Sequence, residues 1–461
     1  MKTAVGVVAL STMILALLGT SAWGAEPEAD GGGRKLISLT EVAPGVTPVS
    51  DYTGDFWNRS TMFGDLGGVR QDLYEKGFSL DVDLTQVIQG LVSGGVDENA
   101  WGYNGLLDYS VWLDTGKLGL WSGGLLAARA ETSWFENESF HSDVGNVSPV
   151  NFSAMWPVPF EASTVLMEYY LTQAFPKDIV LVAGRLNPHN FLDTNRFAND
   201  QKNQFSNISL GNNFVWGYFF SFTTYGAILA APLPKGFSVA TAFWTPESQP
   251  EDYGGNWNSV GAVLQVASEW TLFEDLGGVA TVVGGYSSKD TVAFDHPARP
   301  LDLITGDVPT KSGNWLVTLN VEQYLWKPKS VGDAKPGARI FCKPFAYQEP
   351  GVGLFFRFGY TPEDRNPWNI AVSGGLGARG VIPGRPYDRM GFGVYGLIGS
   401  GDLEDLAIIG DRVTDEVGIE AFYNFAITPW LQVSADIQWL APGIASNKNA
   451  VVMGTRIFTQ F

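Results

Sequence analysis

The chain of 461 residues is poor in the side chains that most often carry protein chemistry. Its single cysteine, Cys342, excludes an internal disulfide framework and any multi-thiolate metal site. Three histidines leave little room for imidazole metal chemistry, so neither a metal nor a cofactor is expected. Charged residues make up only 17%, and 29 Lys and Arg face 48 Asp and Glu, a net charge of −19. That balance supplies no basic face for nucleic acid. The hydrolase signatures G-x-S-x-G and H-E-x-x-H are missing, and no enzymatic activity is expected. Long apolar runs are scarce beyond the N-terminus. The nearest, Phe214 to Leu233, is broken by Gly217, Gly226 and Pro232 and carries Ser221, Thr223 and Thr224, a poor spanning helix. What the chain does have is 45% hydrophobic residues, 55 glycines and 13% aromatics, which excludes a disordered polymer.

The N-terminus reads as an export signal. Lys2 precedes an apolar run from Ala4 to Leu18, and Ala22-Trp23-Gly24 places small residues at a cleavage position. Cleavage is expected after Gly24, with no cysteine there to accept lipid. Residues 25–60, rich in Pro, Gly and Asp, read as a leader or linker, and residues 61–461 as one β-rich domain.

From Phe78 the pattern has a period of two. Phe78, Leu80, Val82 and Leu84 alternate with Ser79, Asp81, Asp83 and Thr85; Val165, Met167, Tyr169 and Leu171 alternate with Leu166, Glu168, Tyr170 and Thr172. Toward the C-terminus Val417 to Ile427, Leu431 to Trp439 and Val451 to Phe461 alternate in the same way, with Thr428-Pro429 as a tight turn and Ala441 to Asn449 as a longer loop. Strict alternation sends successive side chains to opposite faces of a strand. A soluble β-sandwich would alternate too. Strands of about ten residues, aromatics at strand ends and short turns alternating with long loops fit instead a transmembrane antiparallel β-barrel, apolar face to lipid and polar face to water. Residues 78–461 have room for about sixteen strands, with short periplasmic turns and long external loops.

The polar registers then define a charged pore wall: Asp81, Asp83, Asp108, Arg129, Glu131, Glu168, Arg185, Glu420, Asp436 and Arg456. Arg beside carboxylate offers a sugar both donors and acceptors, and Trp112, Tyr170 and Phe422 lie in the same registers. The Asp81-x-Asp83 pair is better read as wet pore wall than as a metal site. Two G-x-G-x-x-G matches, Gly375 to Gly380 and Gly391 to Gly396, lack the following helix of a dinucleotide site. Phe63 to Val69 is echoed at Phe273 to Val279, where a turn is expected.

At these residues the sequence resembles the OprB family of carbohydrate-selective porins. The matching segments are Gly64-Asp65-Leu66-Gly67-Gly68-Val69-Arg70, with Leu66 where the family has Trp; Gly184-Arg185-Leu186-Asn187 through Gln204-Phe205-Ser206-Asn207; Gly384-Arg385-Pro386-Tyr387-Asp388-Arg389; and Glu420 through Pro442-Gly443, ending at Arg456 and Phe461. The resemblance implies a bacterial outer-membrane channel for passive diffusion of monosaccharides such as glucose. Gly64, Asp65, Gly67, Gly68 and Arg70 then read as structural, and Phe461 as an outer-membrane assembly signal. The expected partners are small sugars, outer-membrane lipid and the barrel-assembly machinery, with a homo-oligomer possible. Competing readings are a general or cation-selective porin and a secreted β-rich carbohydrate-binding protein or hydrolase.

Overall fold

The computed structural model describes residues 52, 54–273, 275–294, 309–328, 349–401 and 412–461. The expected export signal, nearly all of residues 25–53 and Cys342 lie outside them. Within them the chain runs through sixteen antiparallel strands, each paired with its sequence neighbours, and β1 pairs with β16 to close a barrel. The strands are β1 (Phe78–Gly95), β2 (Trp101–Asp114), β3 (Gly124–Glu136), β4 (Thr164–Phe175), β5 (Ile179–Leu186), β6 (Thr224–Leu233), β7 (Phe237–Trp244) and β8 (Gly261–Leu272). The second half comprises β9 (Leu276–Val292), β10 (Thr310–Trp326), β11 (Gly351–Tyr360), β12 (Trp368–Arg379), β13 (Arg389–Gly399), β14 (Glu416–Thr428), β15 (Leu431–Ala441) and β16 (Lys448–Gln460). Closure leaves no unpaired edge, the condition for a sheet to stand in hydrocarbon.

The two ends of the barrel differ. At the end holding the start of β1 and the finish of β16, β4–β5, β6–β7, β8–β9 and β14–β15 are joined by very tight turns. The echo at Phe273 is one of these turns. The opposite end carries residues 137–163 and 187–223, the longest connections that are described throughout. Outward-facing Leu80, Ile88, Phe356, Phe392, Val417, Ile437 and Met453 are exposed, an apolar belt suited to lipid. Exposed aromatics ring both ends: Phe175, Phe237 and Trp326 at the turn end, Trp101, Trp315 and Trp439 at the loop end.

The segment Phe214 to Leu233 is not a helix of spanning length. Its first part, Phe214–Tyr218, is one short turn of 3-10 helix inside the barrel, and its second is β6. The family-like N-terminal motif forms a short helix, Val69–Glu75, set against the closing seam. The Arg70 guanidinium donates to Thr61 Oγ1 (3.1 Å), Gly64 O (3.3 Å) and Phe461 O (3.0 Å). Asp65 Oδ1 accepts from Gln71 N at 2.8 Å, and Phe63 stacks on Phe461. The motif therefore ties the segment before β1 to the last strand.

The alternation expected at β4 is broken. Arg129 pairs with Glu168 and Ala130 with Leu166, so Met167 is the extra residue of a β-bulge. Val165 and Met167, expected to face outward, are both buried inside, while Tyr169 and Leu171 keep the outward register. The bulge aims Glu168 inward next to Arg129.

Candidate functional site in the lumen

Residues 187–223 turn inward and cross the barrel. They bring their own core: Phe191, Trp216, Phe219 and Phe220 pack on inward Val180, Val182, Ile228 and Trp244. Phe197, Phe205, Leu210 and Val215 pack on Tyr324, Phe355, Tyr395 and Phe422 of the opposite wall. The expectation of a polar inner face throughout fails on β5–β7 for this reason. Their inner side chains are apolar because they meet a loop and not water. Phe422, expected to face the lumen, does so as the packing partner of Phe205, with ring centroids 4.9 Å apart.

The glycine-rich strands make sockets for the same loop. A Cβ on Gly377 would stand 2.8 Å from Phe197 Cβ and 3.0 Å from its carbonyl oxygen, and one on Gly391 would stand 2.8 Å from the tip of Phe205. The two G-x-G-x-x-G matches thus owe their inward glycines to the close approach of a loop backbone and its aromatic rings.

Polar anchors complete the seating. Glu420 accepts from the Ser206 and Asn207 amides at 2.7 and 2.8 Å. Arg456 donates to Gln201 O (2.8 Å), Gln204 O (2.5 Å) and Ser206 Oγ (3.1 Å). Arg357 donates to Ala198 O and Leu210 O and pairs with Asp193 at 3.1 Å, while Arg196 pairs with Glu322. Asp436 accepts from Gln438 Nε2 at 3.2 Å. Glu420, Asp436 and Arg456 do point inward, yet all are buried beneath the loop. They are struts for it and not open pore wall. Arg185 differs more. It shares the outward register with its cross-strand partners Tyr169 and Tyr225. Its guanidinium is buried under residues 245–260, 4.5 Å from the Tyr253 ring centroid, and donates to the Gln249 and Pro250 carbonyls. It does not line the lumen.

The remaining predicted residues converge. Asp83 is directly opposite Asp108, and Asp108 opposite Glu131, so three inward carboxylates form a row across β1–β3. Like charges opposed across strands repel. Two cations answer them. The Arg129 guanidinium lies 2.6 Å from Asp108, 2.5 Å from Glu131 and 3.4 Å from Glu168. Lys202, from the inner loop, lies 2.7 Å from Asp83 and 3.1 Å from Asp108. Burial opposes the charge on Lys202, but Asp108 and Asp83 outweigh it and hold the ammonium above the ordinary lysine range. Asp81 extends the acidic wall. Among the described residues no group of three or more potential ligands is placed to hold a metal.

Beside Arg129 opens a hollow of about 390 Å³ with the solvent at its mouth counted in, lined also by Phe152, Trp156, His189, Asn190, Asn199, Gln201 and Asn212. Asn190 Nδ2 donates to both Glu168 oxygens at 3.3 and 3.2 Å, and Asn212 Nδ2 sits 2.7 Å from His189 Nδ1. Burial pushes His189 down to about 4, so its imidazole is neutral near pH 7. Trp156 Nε1 is buried with no hydrogen-bond partner among the described residues. The cavity thus combines fixed donors, fixed acceptors and indole and phenyl faces. Lys202, Trp156, His189 and the amides were missed from sequence because they sit on loops with no period. For His189, Asn190, Asn199, Gln201 and Lys202 the one signal was the motif running from Gly184 to Asn207, which is nearly all inner loop; Trp156 and Asn212 lie outside it.

A family model described as "Carbohydrate-selective porin, OprB family" matches residues 98–461. The high-pH structure of OprB from Pseudomonas putida superposes with a TM-score of 0.74 at 18% identity, over 88% of this chain and 100% of that one. The low-pH structure of the same protein gives 0.49 at 17% identity, over 88% and 99%. The outer-membrane channel DcaP of Acinetobacter baumannii gives 0.46 at 10% identity, over 83% and 97%. No curated protein sequence matches the chain.

Proposed function

Because this chain belongs to the OprB family of carbohydrate-selective porins, sugar channels of the bacterial outer membrane, we propose that the Arg129 cavity is where its cargo is selected. The family and the barrel are those of a channel. In this orientation the turn end faces the periplasm and the loop end the outside. The observation that carries the proposal is the cavity itself. A monosaccharide needs donors and acceptors around its ring of hydroxyls and a flat apolar surface against its C–H face. Arg129, Asn190, Asn199, Gln201 and Asn212 supply the first, and Trp156 with Phe152 the second. A sugar there exchanges part of its hydration for side-chain contacts and leaves again down its gradient, provided binding stays weak.

The acidic row at Asp81, Asp83, Asp108, Glu131 and Glu168, against Arg129 and Lys202, gives the pore an accompanying preference for cations over anions. In the same reading, residues 1–24 direct export and are removed, residues 25–60 lead into the barrel domain, and Phe461 marks the chain for outer-membrane assembly. A homo-oligomer in the lipid is part of this proposal.

Single-channel conductance in planar bilayers, titrated with glucose and with a neutral non-sugar of similar size, tests it. Saturable block by glucose alone, weakened in Trp156→Ala, is the expected result. Block by neither solute, or by both alike, would leave a general porin.

A further inference from the structure

The segment before β1 leaves apolar side chains in the open. Phe63, Leu66 and Val69 are 52%, 54% and 54% exposed, as open as Ile88 (53%) and Met453 (51%) in the lipid-facing belt, and Leu73 is exposed as well. So dense a set is disfavoured against water and marks a surface with a partner.

Its place in the fold sets it beside that belt. Phe461 continues the outward register of β16, two residues beyond Thr459, which is opposite outward Leu84. The Phe461 amide donates to Val82 O at 2.9 Å. Phe63 lies on the Phe461 ring with centroids 5.8 Å apart and planes at 25°. Phe63 is therefore outside the barrel, where the belt meets the turn end. The helix Val69–Glu75 that follows has three flanks. Arg70 and Tyr74, four apart, hold it to the barrel: the Arg70 guanidinium donates to Phe461 O, and the Tyr74 carbonyl accepts from Lys117 Nζ of the β2–β3 turn at 3.1 Å. Val69 and Leu73, also four apart, share the adjacent flank. Asp72, Glu75 and Lys76 take the remaining one and are exposed.

Leu66 adds an independent observation. Its φ is 51°, in the left-handed region that disfavours a bulky side chain, between Gly64 (58°) and Gly67 (73°). Packing within the protein does not offset this, because more than half of the side chain is exposed.

We propose that residues 63–73 form an interfacial anchor on the phospholipid surface at the turn end of the barrel. Phe63, Leu66, Val69 and Leu73 dip among the acyl chains, and Asp72, Glu75 and Lys76 stay in water. Lipid is the occupant because the patch is continuous with the belt through Phe461. Since Arg70 grips the same residue, the anchor couples the closing seam of the barrel to the leaflet. The proposal rests on the lipid belt and not on the cargo.

Spin labelling of the purified protein in vesicles of phosphatidylethanolamine and phosphatidylglycerol tests it, with Cys342→Ser removing the native thiol. Nitroxides are attached in Leu66→Cys, Leu73→Cys and Asp72→Cys, with Ile88→Cys as the lipid reference. Collision with oxygen, which concentrates among acyl chains, is compared with collision with a water-soluble nickel chelate. The labels in Leu66→Cys and Leu73→Cys are expected to favour oxygen, approaching Ile88→Cys, and the label in Asp72→Cys to favour nickel. Single-channel conductance like the parent's shows that each labelled barrel is folded. A preference for nickel in Leu66→Cys or Leu73→Cys would overturn the anchor. Dipolar broadening in either, abolished by dilution with unlabelled protein, would overturn it as well and assign the patch to a second copy of the chain.

Discussion

Replacing Arg129 by glutamine removes the one guanidinium that touches Asp108, Glu131 and Glu168 together. The three carboxylates are only 1–3% exposed, whereas the Arg129 side chain keeps 15%. Taking one partner from a buried ion pair costs about 3–5 kcal/mol, because the other charge is left without compensation. The partial exposure of Arg129 and the presence of Lys202 beside Asp108 put the expected loss at the lower end, about 3 kcal/mol. Guanidinium chloride unfolding of the reconstituted barrel measures it. Arg129→Lys, which keeps the charge but loses the forked geometry, is expected to lose less. Adding Glu131→Gln to Arg129→Gln should recover part of the loss, since it removes one of the stranded charges. The channel should respond as well: with one positive charge gone from the acidic row, the reversal potential in a salt gradient shifts toward greater cation preference. Stability within about 0.5 kcal/mol of the parent, or strictly additive losses in the double variant, would refute the view that these four side chains act as a unit.

Gly377→Val places a side chain where the Phe197 backbone now rests. It is expected to cost about 1–3 kcal/mol, to unseat the inner loop, and to raise single-channel conductance while weakening sugar block. Unchanged conductance would count against the socket. Arg70→Ala removes three hydrogen bonds, including the one to Phe461. About 1–3 kcal/mol of stability should go with them, with slower folding into vesicles and no change in sugar affinity. His189 has its folded value pushed down to about 4 from an ordinary 6.5. As pH falls through that window the unfolded chain binds a proton that the folded chain resists, so stability declines. His189→Gln should flatten the fall of the unfolding midpoint between pH 6.5 and 4 relative to the parent. An equal slope in both proteins would show that His189 is not held neutral.

The strands with lipid on one face and mainly polar partners on the other were legible in the sequence. β14–β16 have lipid on one side and polar contacts on the other, so Val417 to Phe461 alternates cleanly. The strand number followed from length, because a closed barrel uses about the same number of residues per strand throughout. Alternation failed where the inner face meets the apolar part of the loop. Val180, Val182 and Ile228 are apolar inside, and the bulge at Met167 shifts the register by one residue. The charged cluster around Arg129 lay on strands and could be assembled by register. Lys202, which completes it, arrives from a loop whose path depends on long-range packing of Phe197, Phe205 and Trp216. Arg185 shows the opposite difficulty: a polar side chain in a strand looked like pore wall, when a folded-back loop and two tyrosines make its outer position habitable.

The packing of Phe197 against Gly377 and of Phe205 against Gly391 also bears on how such a pore could be re-engineered. A filter loop that rested on the wall through water could be exchanged between barrels as a module. This one is keyed into its wall, the ring of each phenylalanine matched to a position on a neighbouring strand that carries no side chain. A foreign loop grafted between β5 and β6 would meet vacant keyways on β12 and β13, and a foreign barrel would offer the native loop none. Transplanting selectivity therefore requires moving the glycines of the wall together with the residues that touch the sugar.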